Sequence, residues 1–150
     1  MTGRFYYVRT MSEALVADNA LYSDLSAFYD DFCAGVDYRE QSAFVHRVLS
    51  AFGSPAGAVV LDLACGTGAH LEHMQSYGYE LHGLDLNPAM LRQAQAKVPQ
   101  ARFIESDMSA LDVHEVYDLV SCFLYSIHYS HPVSAMCQTL TRVLQALKPG

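Results

Sequence analysis

The stretch Val59-Val60-Leu61-Asp62-Leu63-Ala64-Cys65-Gly66-Thr67-Gly68-Ala69-His70 constrains this chain more than any other. The apolar run from Ala58 to Leu63 is too short for a helix of its own and rich enough in Val and Leu for a buried strand. It stops at Gly66 and Gly68, and a helical pattern follows from Ala69 to Tyr77. A strand, a glycine turn and a helix in succession make a cradle for a ligand. Glycine lets the backbone approach closely, and the first N–H groups of the helix face the ligand unpaired. The plainer reading is a strand-to-helix turn with a buried aspartate.

The same alternation recurs along the chain. Tyr38 to Phe52 reads as a helix with Phe44, Val45, Val48, Leu49 and Phe52 inward, and residues 53–57 break it. Glu80 to Asp85 reads as a second strand, followed by Asn87 as a helix cap and Pro88 at the first helical position. Arg102 to Glu105 is a third strand and Val116 to Phe123 a fourth. Pro132 to Leu147 closes the chain as an amphipathic helix with Met136, Leu140, Val143, Leu144 and Leu147 inward. Helices alternating with short apolar runs predict an α/β fold with a parallel sheet. Ahead of this unit, Leu21 to Phe32 predicts a helix with Leu21, Leu25, Phe28 and Phe32 on one face, and Cys33 to Asp37 a loop. Met1 to Asn19 is polar and mixed, with a short helix near Ser12–Ala17.

One hundred and fifty residues suit one domain with a core. Sixteen acidic against nine basic residues give a formal charge of −7, which argues against a surface that tracks nucleic-acid phosphates. No apolar stretch reaches the ~18 residues of a membrane span, and the first residues lack the apolar centre of a signal peptide. Cys33, Cys65, Cys122 and Cys137 show no C-x-x-C spacing, so reduced thiols in a cytoplasmic protein are expected. His70 and His73 lie one helical turn apart but have no acidic or cysteine companion, so no metal site is expected. Cys65 lacks a basic partner and is not expected to act as a nucleophile.

Two features indicate the ligand class. The dinucleotide fingerprint G-x-G-x-x-G requires a third glycine where this chain has Leu71. Asp62, near the end of an apolar strand, is costly without a cationic or donor partner, which an ammonium-bearing ligand would supply. The run D-L-A-C-G-T-G at 62–68 resembles the first motif of class I S-adenosylmethionine-dependent methyltransferases, D/E-x-G-x-G-x-G. Ala64 and Cys65 depart slightly from it, in a common variant. Three further stretches resemble the same family in register: G-L-D-L-N-P-A-M-L at 83–91, Ser106-Asp107-Met108, and the Y-D-L-V of the fourth strand. L-Y-x-x-L-x-x-x-Y-D, from Leu21 to Asp30, looks like the N-terminal lid of the small-molecule members.

The resemblance implies a Rossmann-like parallel sheet ordered 3-2-1-4, with helices on both faces. Residues 1–52 would form a helical lid and 53–150 the cofactor-binding core. The family sheet has seven strands and this chain about four, so it reads as the cofactor-binding half of a longer enzyme or as a truncation. The implied cofactor is S-adenosyl-L-methionine, held by Tyr22, Asp62, Ala64, Cys65, Gly66, Gly68, Asp85, Leu86, Met90, Asp107, Met108 and Phe123. Asp85, 19 residues after Gly66, is near the spacing at which an acid meets a ribose. By resemblance, Leu86 lies against the adenine, Asp107 accepts from its amino group, and the N–H at Met108 meets the ring. Backbone carbonyls near Phe123 receive the ammonium, Met90 approaches the methionine end, and Tyr22 or Tyr29 contacts that end or the substrate. His128, beside the site, is the candidate for acceptor contact or general base, with Tyr29 as the second catalytic candidate.

The implied reaction is in-line transfer of a sulfonium methyl to a small-molecule N or O acceptor, without nucleic-acid or membrane partners. Two rivals are an S-adenosylmethionine-binding fragment without turnover and, with less support, a nicotinamide-dependent dehydrogenase.

Overall fold

The structure, a computed structural model, describes residues 28–53 and 56–149. The expected elements around Ser12–Ala17 and from Leu21 to Ala27, with Tyr22, lie outside the described residues.

Helix α1 is short, Tyr29–Phe32, and is followed by α2, Tyr38–Phe52. Asp37 starts α2 by accepting the Glu40 N–H at 2.9 Å, which satisfies one of the unpaired donors at a helix start. Only a narrow stripe of α2 reaches the core: Ser42, Val45 and Leu49 are buried. Phe44 and Phe52, expected inward, are 56% and 90% exposed. A single sheet face accepts one stripe at i, i+3, i+7, and residues to either side of it stay in solvent. Phe44 instead lies under the Arg47 guanidinium, 5.9 Å from the ring centre.

Strand β1, Val59–Leu63, leads through the glycine turn into α3, Ala69–Met74, which tightens into a 3₁₀ turn at Gln75–Tyr77. Strand β2 is Glu80–Asp85, α4 is Pro88–Lys97 and β3 is Arg102–Glu105. Asn87 caps α4, its side chain accepting the Ala89 N–H at 2.8 Å. A 3₁₀ turn at Met108–Ala110 precedes β4, Leu119–Cys122. Another, at Ser126–Tyr129, precedes α5, Val133–Ala146. The fourth strand starts later than expected. Val116 and Tyr117 give their N–H groups to the Ala146 carbonyl at the end of α5, each at 2.9 Å.

All strands pair in parallel in the order β3-β2-β1-β4. Strand alternation splits the core in two. Val60 and Leu81 face Val45, Leu49, Leu71, Met74 and Leu91 from α2, α3 and α4. Leu61, Leu63 and Leu84 face Leu111, Tyr117, Ala146 and the half-buried Val143 on the side of α5. On α5, Leu140 and Leu144 were expected inward but are 49% and 72% exposed, while Thr139 and Ala146 are buried. The helix meets this face through smaller side chains than its hydrophobicity implies.

None of the described helices is long and apolar enough to cross a membrane.

Candidate functional site

Strand order reverses beside β1, because β2 continues to one side and β4 lies on the other. Ligands of open α/β sheets bind at the carboxyl ends of strands at such a point. A cavity of about 620 Å³ opens there, in the range of small-molecule sites. A cavity of about 30 Å³ adjoins it and shares Tyr29, Ala64, Gly66, Leu124 and Ser126 with its wall. The backbone at this rim is unusual. Ala64, Gly66, Leu124 and Tyr125 all have positive φ, between 52° and 61°. Side-chain-bearing residues in this region carry strain, and such strain clusters at functional sites.

Three aspartates stand at successive strand ends. Asp62, on β1, is 1% exposed and lines the small cavity. Its register partner on β4 is Ser121, whose hydroxyl donates to its carboxylate at 2.7 Å. Burial raises the Asp62 carboxyl to about 7, opposed by the Ser121 bond and helped by the charge of Asp85. Asp85, ending β2, accepts the Gly66 N–H on one oxygen and the Asn87 N–H on the other, each at 2.8 Å. Burial pushes its pKa up despite those bonds. The carboxylate is thus fixed in orientation at the cavity wall while keeping further lone pairs for a ligand. Asp107, after β3, also lines the cavity. One of its oxygens accepts from the Ser109 N–H at 2.7 Å and the Ser109 hydroxyl at 2.6 Å.

The glycines divide their tasks. Gly66 lies on the wall at φ +53°, where a side chain is strained. Gly68 is at φ +78°, and a Cβ there would meet the Ala94 Cβ at 3.0 Å. It packs α3 against α4 and lines neither cavity. The close packing that a third glycine would permit is supplied from β2. A Cβ on Gly83 would come within 2.9 Å of Leu71 Cδ1.

Of the expected site residues, Tyr29, Ala64, Gly66, Asp85, Leu86, Asp107 and Met108 line the larger cavity. Asp62, Cys65 and Phe123 line the smaller one. Met90, expected near the methionine end, is 1% exposed, sits within the fold and lines neither cavity. Position 90 lies on the side of α4 turned to the interior, whereas Pro88, Ala89 and Arg92 reach the cavity. His128, expected at the acceptor, is not brought to the wall. It is exposed and lines neither cavity, and its Nδ1 lies 3.1 Å from the Tyr125 carbonyl oxygen within the same 3₁₀ turn. Tyr22 lies outside the described residues.

The structure adds residues that were not among the expected site residues. Arg92, Ser106 and Ser130 line the larger cavity, and Tyr38 and His70 the smaller. His70 stacks on Phe123 at 4.0 Å, and its Nε2 lies 2.7 Å from Gln41 Oε1. Burial lowers its pKa to about 4, so it is neutral at physiological pH. Burial and the neighbouring Cys33 push the Tyr29 hydroxyl above its ordinary range, so it remains a phenol. Burial and two nearby aspartates push the Cys65 thiol up, which removes its nucleophilic form. Among the described residues, no three His, Cys, Asp or Glu side chains form a metal-ligating group.

The chain belongs to the methyltransferase-domain family, whose model matches residues 60–150. Curated relatives include the dTDP-4-amino-2,3,4,6-tetradeoxy-D-glucose N,N-dimethyltransferase of Saccharopolyspora spinosa. It is 27% identical over 143 residues, covering 93% of this chain and 57% of that protein. The dTDP-3-amino-3,6-dideoxy-alpha-D-glucopyranose N,N-dimethyltransferase of Streptomyces fradiae is 32% identical over 119 residues, covering 77% and 46%. Among solved structures, the S-adenosylmethionine-bound amino pentose methyltransferase of Micromonospora echinaspora superposes with a TM-score of 0.70. It is 27% identical, covering 100% of this chain and 56% of that one. This chain spans about half the length of these relatives.

Proposed function

We propose that this chain is the S-adenosylmethionine-binding part of a methyltransferase that acts on the amino group of a small molecule, in the class of amino sugars. The observation that carries the proposal is the pair Asp62 and Asp85, one buried and one fixed by backbone N–H groups, at adjacent strand ends. A buried carboxylate raised to about 7 fits an ammonium group, whose charge offsets the cost of its ionisation. A carboxylate oriented by two N–H donors fits the adjacent hydroxyls of a ribose. Leu86 and Met108 offer apolar surface between them for an adenine, with Asp107 at its edge.

Bound there, the cofactor supplies a sulfonium methyl that needs no further activation. The task of the chain is to hold an acceptor in line and exclude water, and proximity alone lowers such a barrier greatly. Tyr29 and the neighbouring Tyr129 and Ser126 line the cavity with hydroxyl-bearing side chains suited to orienting an acceptor. Within residues 1–52 the lid role falls to α1, since α2 packs its buried stripe against the sheet. An amine acceptor is favoured over a hydroxyl because an unprotonated amine needs no strong base. His128 is off the wall, His70 Nε2 is engaged by Gln41, and Tyr29 stays a phenol. The relatives named as N,N-dimethyltransferases of dTDP-amino sugars support the same acceptor class. Four free thiols are consistent with a cytoplasmic setting.

The test is incubation with S-adenosylmethionine and paired dTDP sugars that carry an amino or a hydroxyl group at the same carbon. The expected result is S-adenosylhomocysteine release with methylation of the amino sugar alone. Methylation of the hydroxyl sugar alone would overturn the acceptor class. Tight binding of the cofactor without transfer to either sugar would favour a binding unit without turnover.

A further inference from the structure

Helix α1 carries Tyr29 to the cavity. None of its residues is buried, and Phe28 and Phe32 are 61% and 75% exposed. Among the described residues, a polar triangle attaches it to the turn and to α4. Asp30 accepts from the Thr67 hydroxyl at 2.5 Å on one oxygen and pairs with the Lys97 ammonium through the other. Lys97 also donates to the Thr67 hydroxyl at 3.1 Å. Thr67 stands between the two glycines of the turn and is 2% exposed, and Lys97 is the last residue of α4. Three segments far apart in sequence therefore meet in one triangle directly behind Tyr29. The Tyr29 ring in turn lies against Gly66, with its Cε1 4.0 Å from where a Cβ would stand.

We propose that Lys97 and Asp30 are positioning residues whose ion pair, keyed by the Thr67 hydroxyl, clamps α1 so that Tyr29 covers the bound cofactor. Neither side chain lines either cavity, so any effect on the ligand passes through Tyr29 and the glycine turn. Partial exposure of Asp30 (41%) and Lys97 (26%) leaves the pair screened in part. The shared hydroxyl and the multiple charge-assisted bonds set it above an ordinary surface pair. The inference rests on reading the cavity as the S-adenosylmethionine site.

The test compares the whole chain with Lys97→Met, Lys97→Arg, Asp30→Asn and the double variant Lys97→Met/Asp30→Asn. Amide exchange reads α1, and S-adenosylhomocysteine dissociation reads the clamp on the ligand. Lys97→Met and Asp30→Asn should each speed exchange across residues 28–34 while β1 and β2 keep wild-type protection. Each should weaken S-adenosylhomocysteine about three- to tenfold, mainly through faster dissociation. The double variant should be no worse than either single one, because both remove the same interaction, and Lys97→Arg should stay near wild type. Wild-type exchange and affinity in Lys97→Met, or additive losses in the double variant, would overturn the clamp. So would loosening of α1 and the strands together, which marks a merely structural role. If the wild type fails to bind S-adenosylhomocysteine, the reading of the cavity falls. The exchange pattern and its non-additivity still decide whether the triangle holds α1.

Discussion

The two walls of the cavity are built from different material. On the side of β1 and β2, the wall grows out of paired strands: Asp62, Leu84 and Cys65 are buried, and the Cys65 N–H bonds the Leu84 carbonyl at 3.0 Å. On the other side, the segment from Leu124 to Ser130 begins with two consecutive left-handed residues and continues as a single 3₁₀ turn. There Tyr125 is 82% and Tyr129 51% exposed. A wall made of strand ends fixes a ligand common to a family. A wall made of loop tolerates substitution and suits the part of the site that differs among acceptors. On the proposed function, the difference separates a wall for the cofactor, where changes cost affinity or fold, from a wall for the acceptor, where they cost selectivity.

Gly68→Val attacks the first wall at its packing. The β-branched side chain would adopt φ +78° and meet Ala94 at its Cβ and Cα. A loss of about 3 kcal/mol is expected from the strain and overpacking together, read by urea unfolding. Asp85→Ala should weaken S-adenosylhomocysteine about 100-fold by calorimetry, since charge-assisted bonds to the ribose and the anchor of Gly66 go together.

Asp62→Asn sharpens the comparison by moving stability and affinity in opposite directions. Burial raises the Asp62 carboxyl from 3.8 to about 7. Between those values the folded state holds a proton that the unfolded state has lost, so its contribution to stability falls as pH rises across the window. Asparagine removes that dependence while still accepting from Ser121. The variant should match wild type below about pH 4 and unfold at a higher midpoint near about pH 8, with weakened S-adenosylhomocysteine binding. A midpoint below wild type at the higher pH would show that the carboxylate is already compensated within the fold.

Tyr125→Gly probes the second wall through its backbone, since the side chain itself lines neither cavity. Relief of φ +61° should raise stability by up to ~1 kcal/mol, offset in part by glycine's greater entropy when unfolded. S-adenosylhomocysteine affinity should not change, whereas the KM of the acceptor should. A change in cofactor affinity would mean that the two walls are not separable.

The wall on the side of β1 and β2 was legible because backbone conformation dictates its residues. Positive φ at Gly66, the cap at Asn87 and the acid ending β2 leave local signatures that spacing reveals. Leu71 was read correctly as breaking the dinucleotide pattern, but the reason it fits is Gly83 on the next strand, a contact that only the register shows. Ser121 and the Lys97–Asp30 pair were hidden for the same reason, being 59 and 67 residues from their partners. The inward faces of α2 and α5 were misjudged at Phe44, Phe52, Leu140 and Leu144, because apolar character does not oblige a residue to be buried. His128 has suitable chemistry and a suitable position in the chain. The turn that follows β4 holds it off the wall, and nothing local encodes that.

Thermal unfolding of the full chain with S-adenosylhomocysteine or NAD in excess tests the assignment of the cavity most directly. A ligand at about 100 times its dissociation constant stabilises by roughly 2.7 kcal/mol. The expected result is a raised midpoint with S-adenosylhomocysteine, none with NAD, and loss of the shift in Asp85→Ala. A shift with NAD alone, or an undiminished shift with S-adenosylhomocysteine in Asp85→Ala, would contradict a cofactor site built on the paired aspartates.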